Sequence, residues 1–159
     1  MIWFIADTHF YHHNLVLYEG RPPWIDAHMI YLWNQRVSRA DTVWHLGDLV
    51  MGRHDAIPQL IQTLNGQIHL IMGNHDWYRH GWYKRAGVQT YPRPILREFD
   101  GLGTVLLSHK PKDTLVDMLN LHGHSHSGRP RMLGNHVNLS VEVRNWRPWS
   151  LEELINERL

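Results

Sequence analysis

Five short polar clusters in this chain carry the residue types that bind metal ions and move protons. They are Asp7-Thr8-His9, Gly47-Asp48, Gly73-Asn74-His75-Asp76, Ser108-His109 and Gly123-His124-Ser125-His126. Carboxylate, imidazole and amide groups are N and O donors, and His is both the commonest metal ligand and the acid–base residue of neutral pH. The chain has 14 His among 159 residues, with no His run at either terminus. Taken alone, Gly73-Asn74-His75-Asp76 reads equally well as a turn, because Gly, Asn and Asp favour turns. A lone Asp-x-His is likewise an ordinary polar loop after a strand.

The clusters gain weight from where they fall. Ile2 to Ala6, Thr42 to Leu46, Ile68 to Met72, Thr104 to Leu107 and Leu119 to Leu121 are apolar, strand-like runs, and each delivers one cluster at its carboxyl end. On an extended strand end, residues two apart face one side, so Asp7 and His9 can converge on a point. Gly73 lets the backbone turn where a Cβ would obstruct. Open α/β sheets hold their sites at the carboxyl ends of their strands. A helical stripe from Ile25 to Val37, with Asp26 near its start, and a short helix from Ala56 to Leu64 separate the first three strands. The first half therefore reads β-α-β-α-β, a parallel sheet with right-handed crossovers. Trp77 to Gly87 is basic and aromatic; it reads as an amphipathic helix over the sheet edge, with nucleobase stacking as the alternative. Further on, two strands flank Asp100-Gly101 as a hairpin, and Val137 to Val143 alternates as another strand. Ser150 and Glu153 form a capping box that opens a C-terminal helix ending at Leu159.

A length of 159 residues with 43% apolar composition suits one folded domain over residues 1–159. No apolar run is long enough to span a bilayer, and the N-terminus meets Asp7 without a basic leader, so neither membrane association nor a signal peptide is expected. With no Cys, a metal site must use N and O donors, and a reducing cytoplasm is the expected compartment. A net charge of +1 and the lack of a long basic stripe argue against extended nucleic-acid binding.

Asp7, His9, Asp48, Asn74, His109, His124 and His126 make seven candidate ligands. One four-ligand zinc site needs fewer, whereas two metals sharing a carboxylate need about this many. Two divalent cations bring four positive charges and Asp7 with Asp48 two negative ones; the remainder suits a bridging hydroxide and an anionic phosphate. Two metals about 3.5–4 Å apart clamp the attacking and leaving oxygens of an in-line displacement.

The five clusters, in this order, resemble the motif blocks of the calcineurin-like metallophosphoesterases. Phe4 to Phe10 with His12, His13 and Asn14, and Asn138-Leu139-Ser140-Val141-Glu142, further resemble the small, cap-less phosphoesterases of bacteria and phages. The resemblance implies an α/β fold, a two-sheet sandwich flanked by helices. It implies that Asp7, His9, Asp48 and His126 hold one metal and that Asp48, Asn74, His109 and His124 hold a second, with Asp48 bridging. Asn74 and His75 would bind substrate; His75 would touch the phosphoryl oxygen and protonate the leaving group, and Asp76 would orient His75. The implied substrate is a small phosphate ester, a phosphodiester before a monoester, with nucleotides and cyclic nucleotides among the candidates. The implied cofactors are two divalent transition-metal ions, manganese first and iron, nickel, cobalt or zinc as alternatives. A metal-dependent nuclease and a non-catalytic protein-binding scaffold of the same fold are the competing readings. Many family members carry Asp three residues after the bridging Asp, where this chain has Met51; that position is not a ligand in the family pattern. Arg21, Arg53 and Arg79 are the cations near the motifs that could meet a doubly charged monoester.

Overall fold

Strands covered on both faces need apolar side chains on both, and the first half of the chain supplies them. β1 (Ile2–Ile5), β2 (Thr42–His45) and β3 (Gln67–Ile71) pair in parallel at the centre of one sheet. β4 (Gln89–Tyr91) adds parallel to β3, and β10 (Trp149–Ser150) adds antiparallel to β1. Trp3 and Ile5 on β1 face a core shared with helices α1 (Ile25–Arg36) and α2 (Ile57–Thr63), while Phe4 and Ala6 face the second sheet. The structure, a computed structural model, describes residues 1–12, 14, 20–114, 118–126 and 132–158; His13 and Leu159 lie outside the described residues.

The second sheet has the order β5 (Ile95–Phe99), β6 (Gly103–Leu107), β7 (Leu119–His122), β9 (His136–Asn138) and β8 (Met132–Leu133). β5 and β6 form the expected antiparallel hairpin, whereas β6, β7 and β9 are mutually parallel. The two five-stranded sheets thus make the sandwich implied by the resemblance, with helices on the outer face of the first. The layers share a core of Phe4, Trp44, Leu46, Ile71, Val105, Leu107, Leu121 and Val137 among others. They are laced together at one end: Ala6 N–H donates to Leu139 O at 2.9 Å and Val141 N–H to Ala6 O at 3.1 Å. That end carries the five polar clusters.

Several elements depart from the sequence expectation. The alternating run from Val137 is a strand only to Asn138; Ser140 makes a single bridge with Ala6, and Val141–Val143 is a 3₁₀ turn. The cause is local, because Asn138 Oδ1 accepts the Ser140 N–H at 3.0 Å and turns the chain out of the ladder. Trp77 to Gly87 is a 3₁₀ turn, Trp77–Arg79, followed by α3 (His80–Arg85) rather than one helix. Trp77 and Tyr78 stay exposed, and only Tyr83 of the segment's aromatics is fully buried.

The capping box is present at the start of α4 (Leu151–Arg158): Glu153 N–H donates to Ser150 Oγ at 3.1 Å, and Ser150 N–H donates to Glu153 Oε2 at 2.8 Å. Glu153 also pairs with Arg36 at 2.6 Å and Arg147 at 2.8 Å, so the cap ties α4 to the end of α1. Ser150→Ala is expected to lower the unfolding free energy by about 1 kcal/mol, the usual worth of such a cap. Urea denaturation checks this; an unchanged midpoint would show that the two arginine pairs hold Glu153 without the serine.

Candidate metal centre

Short parallel strands end side by side at one rim, and their last residues leave the strand conformation abruptly. Asp7 (φ 58), His9 (φ 46), Asp48 (φ 57) and His124 (φ 68) all adopt the left-handed region that most side chains avoid. The turn lets each side chain face inward across the rim instead of alternating along a strand. Backbone bonds then knit the loops together: Asp7 N–H to Gly47 O at 3.0 Å, His9 N–H to Asp48 O at 2.9 Å, and Gly123 N–H to His109 O at 2.9 Å.

Close approach requires glycine at three of these strand ends. A Cβ on Gly73 would collide with Asp48 Oδ1 and stand 2.7 Å from the Asp48 backbone nitrogen. On Gly47 it would strike the His109 ring, and on Gly123 it would strike Asp7 Oδ2 and stand 2.6 Å from Ala6 Cβ. In each case the obstructed atom belongs to a candidate ligand or its neighbour.

The seven candidate ligands come together. Asp7 Oδ1 lies 4.0 Å from His9 Nε2, 3.8 Å from His126 Nε2 and 3.9 Å from His109 Nδ1. Asp48 Oδ2 lies 3.5 Å from His9 Nε2 and 3.4 Å from His109 Nε2. His109 Nε2 in turn is 3.0 Å from Asn74 Oδ1 and 3.2 Å from His124 Nδ1. Two sets, Asp7–His9–His126 and Asp7–Asp48–His109, have ligand atoms close enough to hold a cation. Donors bound to one metal at ~2.0–2.2 Å stand roughly 3–3.5 Å apart, so the spacing fits with a small contraction.

Hydrogen bonding points the same way. Asp7 Oδ1 and both ring nitrogens of His9 are buried without a hydrogen-bond partner among the described residues. An unsatisfied buried polar atom costs about 1–3 kcal/mol, so these atoms fit a bound cation better than an empty pocket. His109 Nδ1 must donate to Leu46 O at 2.9 Å, which leaves the Nε2 lone pair of the neutral ring facing Asp48. His126 Nδ1 bonds Glu142 Oε1 at 3.0 Å, and its Nε2 faces Asp7.

The electrostatics follow from burial. Asp7 is wholly buried, which pushes its carboxyl up to about 7 against the pull of His126 and Ser140. Burial raises Asp48 too, opposed by the His75 N–H and imidazole. Burial lowers His9, helped by His126 and Arg21, and lowers His109 and His124. His126 moves upward, because Glu142 and Asp7 outweigh the burial that would lower it. Neutral imidazoles beside carboxyls that resist ionisation are the state a divalent cation would exploit, since it supplies the missing positive charge.

His75 sits at the mouth with its side chain 42% exposed and Nε2 4.0 Å from Asp48 Oδ2. Its N–H donates to Asp48 Oδ1 at 2.9 Å, and Arg79 Nη1 donates to its carbonyl at 2.7 Å. Asn74 and His124 are also exposed there. Asp76 is placed differently from the expectation that it orients the His75 ring. Its carboxylate accepts from Asp48 N at 2.6 Å, Gly73 N at 2.8 Å, Leu49 N at 3.2 Å and Tyr83 Oη at 2.8 Å. Asp76 thus staples the loop after β2 to the loop after β3, and among the described residues its carboxylate hydrogen-bonds to these groups and not to the His75 ring.

Sequence reasoning assigned no role to Glu142, Ser140 or Tyr83. Ser140 Oγ donates to Asp7 Oδ2 at 2.7 Å. Arg21, a candidate phosphate-binding cation, is instead buried and donates to Asp7 O and Thr8 O, each at 2.7 Å, and through Nε to Glu142 Oε1 at 2.9 Å. The block containing Glu142 stood out only by resemblance; nothing in its spacing pointed to His126.

The calcineurin-like phosphoesterase family profile matches residues 1–157. The chain belongs to this family. It is 32% identical to an uncharacterized protein of Methanocaldococcus jannaschii over 97% of this chain and 89% of that protein. It is 33% identical to the Gene 66 protein of Mycobacterium phage D29, covering 79% of this chain and 78% of that one. The crystal structure of a protein of unknown function from Aquifex aeolicus superposes with TM-score 0.81 at 27% identity, over 100% of this chain and 99% of that chain. The nuclease MPE of Pseudomonas putida shares the fold with TM-score 0.55 at 20% identity, over 79% of this chain and 61% of that chain.

The glycine constraint is open to test. Gly73→Ala is expected to weaken manganese binding by roughly 10–100-fold, the range for disturbed support of a metal ligand. Gly81, in α3, has nothing within 4 Å of an added Cβ, so Gly81→Ala should leave manganese binding untouched. Parity of the two variants in a manganese titration would show that the loops absorb the extra carbon.

Proposed function

We propose that this phosphoesterase holds two divalent metal ions and hydrolyses phosphodiesters in preference to monoesters. The observation that carries the reading is the placement of Asp48, whose Oδ2 faces His9 Nε2 at 3.5 Å and His109 Nε2 at 3.4 Å. Asp7, His9, Asp48 and His126 would hold one ion, and Asp48, Asn74, His109 and His124 the other, with Asp48 shared. Bound there, the ions would supply positive charge to the phosphoryl oxygens and lower the pKa of water.

The remaining tasks fall to the chain. Asn74 and His75, open to solvent at the mouth, are the groups a substrate meets first. His75 is held by its backbone rather than through its ring, so the imidazole is left to protonate a leaving alkoxide. Asp76 serves as a positioning residue for Asp48 and His75 through the loop it staples. The preference for diesters rests on the cations. Arg21 and Arg79 direct their terminal donors to backbone carbonyls and Arg53 pairs with Asp55, so none of these three is seen holding a donor out to a dianionic monoester. A fold shared with a nuclease places short linear dinucleotides in the test panel beside cyclic nucleotides and aryl diesters.

The test is hydrolysis of that panel before and after chelation. Activity should vanish with the metal, return on adding manganese, and favour diesters. Asp48→Asn should lower both metal content and rate. The rate should also fall as pH drops through about 7, because metal must displace the proton that burial holds on Asp7 and the one Glu142 and Asp7 favour on His126. Full activity after exhaustive chelation, or a rate still rising toward about pH 5, well below the ordinary imidazole value, would contradict the reading.

The role of His75 can be separated from metal binding. His75→Asn should keep both metals yet slow esters of aliphatic alcohols by ~10²–10⁴-fold, the usual worth of a general acid. Aryl esters with acidic phenols need little protonation and should slow much less. Equal slowing of both at matched metal content would make His75 a phosphate-binding group only.

A further inference from the structure

Among the candidate ligands, the four imidazoles are supported in unequal ways. His109 is backed by a neutral carbonyl, Leu46 O. Among the described residues, His124 Nδ1 meets the ring of His109, at Nε2. Both His9 ring nitrogens lack a hydrogen-bond partner among the described residues. His126 is backed by a carboxylate, Glu142, which is itself held by a buried guanidinium. Arg21 Nε and Nη2 both reach Glu142 Oε1, while its remaining donors hold Asp7 O and Thr8 O. One side chain therefore grips the backbone of Asp7 and, through Glu142, the ring of His126. The Arg21 guanidinium also lies over Trp146, 5.4 Å from the ring centroid, which limits its freedom to swing away.

We infer that Glu142, anchored by Arg21, is a positioning residue that fixes His126 with its proton on Nδ1 and makes the Asp7–His9–His126 position the tighter of the two metal positions. The inference rests on the two-metal reading above. An ionised acceptor on one imidazole nitrogen makes the other a stronger donor to a metal, and a carboxylate does this more than a carbonyl. It also fixes the tautomer. With Nδ1–H donated to Glu142, the lone pair of Nε2 is directed at the space beside Asp7 Oδ1, 3.8 Å away. The Arg21 grip sets the spacing of Asp7 and His126 before any ion arrives, so little reorganisation is left to oppose binding. The second position has no comparable device among the described residues: His109 rests on a backbone carbonyl, and the approach of its Nε2 to His124 Nδ1 joins two ligand atoms without backing either ring.

The test is a manganese titration of the metal-free full chain, with free ion followed by electron paramagnetic resonance, for the native protein and Glu142→Gln. Two unequal affinities are expected for the native protein. In Glu142→Gln the tighter one should weaken by roughly 10–100-fold, the usual effect of removing a ligand's carboxylate partner. The weaker one should stay, and Glu142→Asp should recover part of the loss. Equal weakening of both, or none, would overturn the inference while leaving the two-metal reading intact. A native protein that binds no manganese would overturn both. Glu142→Gln leaves the buried Arg21 without its counter-charge and can fail to fold, so a second measurement uses the native protein alone. Imidazole nitrogen-15 resonances of the metal-free chain, recorded at a pH high enough for the His126 ring to be neutral and with His126 assigned by their loss in His126→Gln, should show the proton on Nδ1. A proton on Nε2 would overturn the inference without any Glu142 variant.

Discussion

Two buried carboxylates, Asp7 and Asp48, face each other's imidazole neighbours, and among the described residues no Lys or Arg side chain pairs with either of them. Arg21, a buried guanidinium beneath the rim, pairs with Glu142 and hydrogen-bonds Asp7 at the backbone carbonyl. Burial is the main force driving both acids toward protonation, and it drives His9, His109 and His124 toward neutrality, while Glu142 and Asp7 hold His126 the other way. A protein interior tolerates such a group when a proton neutralises it or a charge from outside completes it, and a divalent cation would do the second for both acids at once. The rest of the rim can be understood as the framework that keeps this unbalanced set in place: glycines where ligands crowd the backbone, left-handed residues where the chain turns inward, and polar staples under the loops.

That framework is strained and held from beneath. Non-Gly residues in sparsely populated backbone regions cost ~1–3 kcal/mol each, somewhat less for Asp and His, which tolerate the left-handed region best. Four candidate ligands adopt it. Asp76 offsets part of the cost by gathering three backbone N–H groups and the Tyr83 hydroxyl onto one buried carboxylate. Arg21 does similar work under Asp7 and Thr8. The consequence for function is a set of donors already close to ligand spacing, with two imidazole tautomers selected by the groups behind them rather than by the ion in front.

How much of this was legible in the sequence depended on range. The rim was legible because an apolar run ending in Asp, Asn or His is a local pattern, and five such runs in order leave few alternatives. The first three strands, α1, α2, the β5–β6 hairpin and the Ser150–Glu153 cap are set by local periodicity and local hydrogen bonds, and they stand where expected. β4, β8 and β10 have three, two and two residues, too few for a period, and exist because a neighbouring strand offers its edge. The run from Val137 alternates like a strand, yet Ser140 is needed at Asp7 Oδ2, and the chain bends to bring it there. Arg21 looked like a free cation because its partner Glu142 lies 121 residues away. Asp76 looked like an orienting group for its neighbour His75, whereas its oxygens reach Asp48 N and Leu49 N in one loop, 28 and 27 residues distant, besides Gly73 N and the Tyr83 hydroxyl.

The central claim is that one carboxylate, Asp48, is shared by two metal ions. The most direct measurement is an anomalous difference map from crystals grown with manganese. The account calls for two peaks about 3.5–4 Å apart with the Asp48 carboxylate between them. A single peak at full occupancy, or a pair in which Asp48 touches only one ion, would contradict it.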